Sequence, residues 1–225
     1  MVETPVPWKL KEVLAIYSLR LLVGFFLMRV VYPGWVIAPA AAEITDRLVM
    51  VSLVWLLVHR HGSALNCWGL PGRHLLRNSL AGLAAGGVLL TVSLFSERIY
   101  TTVLLLTPSP HPLVVQAQNA LTWRELAQPL LLAGLAAPVA EEVFYRLFTF
   151  SALKVRFGLW GGALGSAAIF ALFHFNAYWL AELMVVGTGL ALVYHWTGSL
   201  TSSIIAHSVI NSTKIVLLFL KIPLS

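Results

Sequence analysis

Long apolar stretches separated by short polar breaks dominate the chain. The first runs from Val13 to Val31 and stops at Tyr32-Pro33-Gly34-Trp35. A second covers Leu48–Val58, entering from Ile44, and closes at His59-Arg60-His61-Gly62. After a polar connection with Pro71, Gly72, Arg73 and Arg77, a third runs Ser79–Leu106, interrupted by Glu97-Arg98. Thr107-Pro108-Ser109-Pro110-His111-Pro112 then reads as a non-helical loop. Four more stretches follow, at Glu125–Val155, Trp160–Trp179, Glu182–Trp196 and Leu200–Leu220. A helical span needs about 20 apolar residues. The pattern therefore predicts an all-α fold, a polytopic transmembrane helical bundle with about seven spans. Residues 1–225 form a single integral membrane domain on this reading.

Composition narrows the class. Hydrophobic residues make up 59% and charged residues 11%, against about 25% charged in a soluble domain. A water-soluble globule, a disordered chain and a coiled coil are excluded. The formal charge of +6 comes from basic residues scattered singly, which argues against a nucleic-acid partner and for the positive-inside bias. Lys9, Lys11, Arg60, Arg73, Arg77, Lys154 and Arg156 lie on alternate connections, while Glu43, Asp46, Arg47, Glu97, Arg98, Arg124, Glu125 and Glu182 mark the others. That alternation predicts a cytoplasmic N-terminus, and the compactness of the chain suggests the plasma membrane of a prokaryote. Trp8, Trp35, Trp68, Trp123, Trp160, Trp179 and Trp196 fall at span ends, where amphipathic rings favour the interface. Cys67 is the single cysteine, so neither an intramolecular disulfide nor a cysteine metal cluster is expected. No removable signal peptide is read at the N-terminus.

Gly82/Gly86, Gly158/Gly162 and Gly161/Gly165 have the spacing that allows close helix contact. Charges inside the spans are costlier, from about 2.5 kcal/mol each at bilayer depth. The fourth span carries Glu141, Glu142 and Arg146. Glu142 and Arg146 share a face at i,i+4, while Glu141 is turned about 100° away and left unmatched. Phe170 and His174 are spaced i,i+4 on the fifth span, as are His207 and Asn211 on the seventh. At 1.5 Å per residue, Glu141 lies about 24 Å from Phe157 and His174 about 22 Å from Leu159, one common depth. Pro138, one turn before Glu141, frees the carbonyl of Gly134 and is expected to kink the helix.

Glu-Glu-x-x-x-Arg, Phe-x-x-x-His and His-x-x-x-Asn, in that order on three apolar spans, resemble the CPBP family. This is the CAAX prenyl endopeptidase type II, or ABI, group of intramembrane and bacteriocin-processing proteases. The motifs cover residues 125–215. The resemblance implies a protease acting on a membrane-associated peptide, of CAAX type or a leader or anchor segment. It implies that Glu141 is the general base that activates water, that His174 orients that water, and that His207 and Asn211 donate to the oxyanion. Glu142 and Arg146 would hold the helix, and Phe170 would pack beside His174. No cofactor is then required. A zinc-dependent version stays open, with Glu141, His174 and His207 as ligands. So do a proton-coupled transporter using the same residues as a relay, and a catalytically silent scaffold or immunity protein.

The remaining polar residues have plainer expectations. Glu97-Arg98 reads as a local pair at the outer edge, and Glu182 and Lys221 as solvated span ends. Lys214 is expected to snorkel outward, and His195 to lie at the interface. Of Arg20 and Arg29, one faces the bundle or a lipid headgroup. His59-Arg60-His61 reads as a flank.

Overall fold

In the computed structural model, residues 6–34, 39–62, 74–103, 105, 111–222 and 224 are described. Trp35, Cys67, Trp68, the Pro71–Arg73 part of the second connection and Thr107–Pro110 of the proposed loop lie outside them. Among the described residues the regular structure is all helical, with no strand. They form α1 (Leu10–Phe26), α2 (Pro39–Arg60), α3 (Leu75–Thr102), α4 (Pro112–Asn119), α5 (Trp123–Leu131), α6 (Ala137–Glu141), α7 (Ser151–Leu172), α8 (Leu180–Thr197) and α9 (Leu200–Phe219). Wider π-helical turns continue α1 over Leu27–Val31, join α5 to α6 over Leu132–Ala136, and join α6 to α7 over Glu142–Phe150.

The protein is an integral membrane helical bundle. Among the described residues, five helices are long and apolar enough to cross a bilayer. One of them, Trp123–Leu172, is 50 residues long and holds the predicted fourth and fifth spans, folded at Gly158. Gly158 has φ +72° and ψ 179°, a backbone that glycine adopts without strain. Gly162 packs against the Lys154 backbone across that fold, so this small residue closes a hairpin rather than joining two separate helices. α2 has the length of a span, but Glu43, Asp46 and Arg47 interrupt its apolar character.

Leu14, Leu22, Phe25, Leu83, Val88 and Phe95 are exposed, as expected where the solvent is hydrocarbon. Trp8, Tyr17, Val54, Phe144, Phe148 and Phe170 make the centre instead. Trp8 is therefore not an interfacial ring: it is 3% exposed and its indole Nε1–H donates to the Phe148 carbonyl at 3.0 Å. Trp123, Trp160 and Trp196 are exposed at helix ends. Among the described residues α3 packs most extensively against α9. A Cβ on Gly82 would stand 2.6 Å from the Ser202 carbonyl oxygen, and one on Gly86 2.9 Å from Val209 Cβ. The predicted Gly82/Gly86 contact thus fixes α9, which carries His207 and Asn211.

Three expectations change. Pro112–Asn119 is a short helix, with His111 as its N-cap: Nδ1 accepts the Leu113 N–H at 3.3 Å. The fifth span ends at Leu172, and His174 sits in the turn that follows. Glu97, Glu182 and Lys214 are not solvated or local pairs; they meet inside the bundle, because the C-terminal parts of α3 and α9 converge there on the N-terminal turn of α8. Lys221 is exposed as expected, with its ammonium against the Gln118 carbonyl. Arg20 is the inward arginine, 3.1 Å from Asp46 and within hydrogen-bond reach of Tyr145 Oη (3.3 Å). Arg29 is exposed beside Phe25.

Candidate active site

The helix bearing the acids is widened by its own sequence. In the turn Leu132–Ala136 the ladder runs five residues back, Ala137 N–H donating to Leu132 O. On that register the next donor would be Pro138, which has no N–H, so Ala133 O is left without its helical partner. Asn211 Nδ2 supplies the bond at 2.9 Å. The proline does free a carbonyl, but one residue earlier than α-helical counting gives. Gly134 lets α9 approach, since a Cβ there would collide with Ser212 Oγ.

Glu142 lies at the centre and is fully buried. Its Oε1 is 3.1 Å from Arg146 Nη1 and 2.8 Å from His207 Nδ1, and Ser203 Oγ donates to its Oε2. The Arg146 contact is an ion pair at too oblique an angle for a hydrogen bond. Nη2 of the same guanidinium donates to Gly187 O at 3.3 Å, and its carbon lies 4.6 Å from the Phe170 ring centroid. Glu142 therefore does more than pin its own helix: it orients a histidine from α9.

Glu141 points the other way, into a cavity of about 640 Å³ that also takes Phe170, His174, His207 and Asn211 into its wall. Its Oε2 is 3.8 Å from His207 Nε2. Its Oε1 is 3.9 Å from Arg47 Nη2, a group from α2 already paired with Glu43 at 2.8 Å and Asp46 at 2.9 Å. His174 Nδ1 is 2.7 Å from the Phe170 carbonyl. A carbonyl only accepts, so the proton sits on Nδ1, and in the neutral ring Nε2 keeps the lone pair. The Phe170 ring packs edge-on against His174, centroids 4.6 Å apart.

All four motif residues proposed for chemistry thus line one cavity, on elements separated by up to 70 positions in sequence. Arg47 and His111 also line it and carried no sequence signal: Arg47 sits in a mixed polar cluster, and His111 in a proline-rich stretch. Burial pushes the His111 imidazole below the usual histidine range, which favours the neutral ring that its cap bond requires. Among the described residues no three His, Cys, Asp or Glu side chains converge as a metal site.

The fold and the cavity define a polytopic membrane protein with a polar-lined cavity in its bundle. Residues 123–213 match the family model for Rce1-like type II CAAX prenyl endopeptidases, a segment that contains all three motifs. The match supports the CPBP family of CAAX-type intramembrane proteases for the segment that carries the site. No curated protein and no solved structure matches the chain.

Proposed function

We propose that the protein is an intramembrane endopeptidase that hydrolyses a peptide bond in a membrane-associated substrate, with Glu141 activating the water. The observation that supports this most is the shared cavity: Glu141, His174, His207 and Asn211 reach it from separate segments. Water donates one hydrogen bond to Glu141 and the other to the lone pair on His174 Nε2, which aims its oxygen at the scissile carbonyl. The water oxygen bonds to the carbonyl carbon and its proton passes to Glu141. When Nε2 of His207 carries a proton, it donates to the oxyanion, and Glu142 at Nδ1 compensates the ring's charge. The second N–H of the Asn211 amide is the other donor. Collapse breaks the C–N bond as the Glu141 proton moves to the leaving nitrogen.

A zinc ion in place of this arrangement would need Glu141, His174 and His207 drawn together, and the residues as placed do not form that set. The substrate class follows the family: a CAAX-type tail, or a leader or anchor peptide. Cleavage of such peptides by the reconstituted protein, abolished by Glu141→Gln and unaffected by a strong chelator, is the expected result. Full activity in Glu141→Gln sinks the mechanism, and activity lost to a chelator and restored by zinc replaces it with the metal-dependent one.

A further inference from the structure

A second charged cluster lines the same cavity and takes no part in the chemistry above. Glu97 of α3, Glu182 of α8 and Lys214 of α9 meet there. Lys214 Nζ is 3.1 Å from Glu97 Oε2 and 2.7 Å from Glu182 Oε1, and Ser93 Oγ also donates to Glu182 Oε1. Two carboxylates and one ammonium leave one negative charge in excess. Glu182 is 6% exposed, and its other oxygen, Oε2, has no hydrogen-bond partner among the described residues. Glu182 thus brings to the cavity wall a carboxylate with one unpaired oxygen, in a medium that penalises unpaired charge, which leaves an acceptor for an incoming donor.

The cluster also has a fixed relation to the proposed chemistry. His207, Asn211 and Lys214 are spaced i, i+4, i+7 on α9 and all line the cavity, so they form one stripe. Along the helix axis Lys214 is about 10 Å from His207 and about 4.5 Å from Asn211. An extended peptide advances about 3.3 Å per residue. A substrate whose scissile carbonyl lies at His207 and Asn211 therefore brings a side chain one to three residues away to the cluster.

We infer that Glu97, Glu182 and Lys214 form a specificity subsite that selects a cationic side chain, lysine or arginine, one to three residues from the cleaved bond. The inference rests on the protease reading of the same cavity. The incoming cation pairs with Glu182 and neutralises the excess charge, whereas an acidic side chain there adds to it.

The test uses quenched fluorescent decapeptides of alanine and leucine carrying one Lys, Met or Glu, scanned through the central positions. Cleavage is followed with the full chain in detergent, and binding with the Glu141→Gln variant. At one position the Lys peptide is preferred over the Met peptide by at least about tenfold in both assays, and the Glu peptide is disfavoured. Glu182→Gln brings the Lys-to-Met ratio toward one, and Lys214→Met raises it. A ratio near one at every position in the wild-type chain overturns the subsite without needing any variant. Lys-selective binding without cleavage of any peptide keeps the subsite and rejects the protease reading. Cleavage without charge preference does the reverse.

Discussion

Replacing Glu142 with glutamine tests the centre of the site. The glutamine amide is the same size as the carboxylate. Its oxygen can still accept from His207 Nδ1 and its nitrogen can donate to Ser203 Oγ, so the change isolates one charge. It leaves the fully buried Arg146 guanidinium with the Gly187 carbonyl and the Phe170 ring as its remaining partners. Removing one member of a buried ion pair costs about 3–5 kcal/mol, or roughly a hundred- to several-thousand-fold in the folding equilibrium. Arg146→Met, which strands the carboxylate instead, falls in the same range. The double variant Glu142→Gln/Arg146→Met leaves no stranded charge, and it is expected to cost about 2 kcal/mol less than the sum of the singles. Denaturant unfolding in mixed micelles, followed by tryptophan fluorescence and circular dichroism, gives all three values. Glu142→Gln within about 0.5 kcal/mol of wild type, or strict additivity in the double variant, refutes the reasoning.

Two further outcomes follow from single positions. Gly82→Ala pushes a methyl into the Ser202 carbonyl region and is expected to cost about 1–3 kcal/mol. Because it displaces α9, it also lowers peptide cleavage by up to about a hundredfold. Gly87→Ala, with open space around it, is neutral or stabilising, and a Gly82→Ala protein that melts and cleaves like wild type contradicts the contact. For His111, the folded value lies below the unfolded one, so its contribution to stability is full above about pH 6.5 and declines as pH falls from there toward the folded value. His111→Asn keeps a cap acceptor and removes the titration, so unfolding measured from about pH 7 to about pH 5 loses part of its slope; an unchanged slope rejects the assignment.

Much of the architecture was legible because lipid-facing helices announce themselves by continuous apolar runs. The break between Val155 and Trp160, the ends of α8 and α9 and the Gly82/Gly86 contact all followed from local pattern. What failed was whatever depends on which helices are neighbours. Glu97, Glu182 and Lys214 each look like a solvated or snorkelling end when taken singly, and only packing makes them a triad. Arg47 reaches Glu141 from α2, outside every motif. The α-helical count assigned Pro138 to the wrong carbonyl because a π turn shifts the ladder by one residue. The short α4 was missed since eight residues are too few for a periodic signal to overcome the prolines before it. The site itself was legible because charges are so scarce: Glu141, Glu142 and Arg146 stand out in a span with nothing else charged near its centre.

The central claim is that Glu141 makes the nucleophile in a cavity shared with His174, His207 and Asn211. The most direct measurement is the turnover of a membrane-anchored peptide in liposomes by wild type and Glu141→Gln, each with and without a strong chelator. The account predicts cleavage by wild type in both conditions, and a loss of at least about a hundredfold in the variant. Cleavage by Glu141→Gln at the wild-type rate would contradict it.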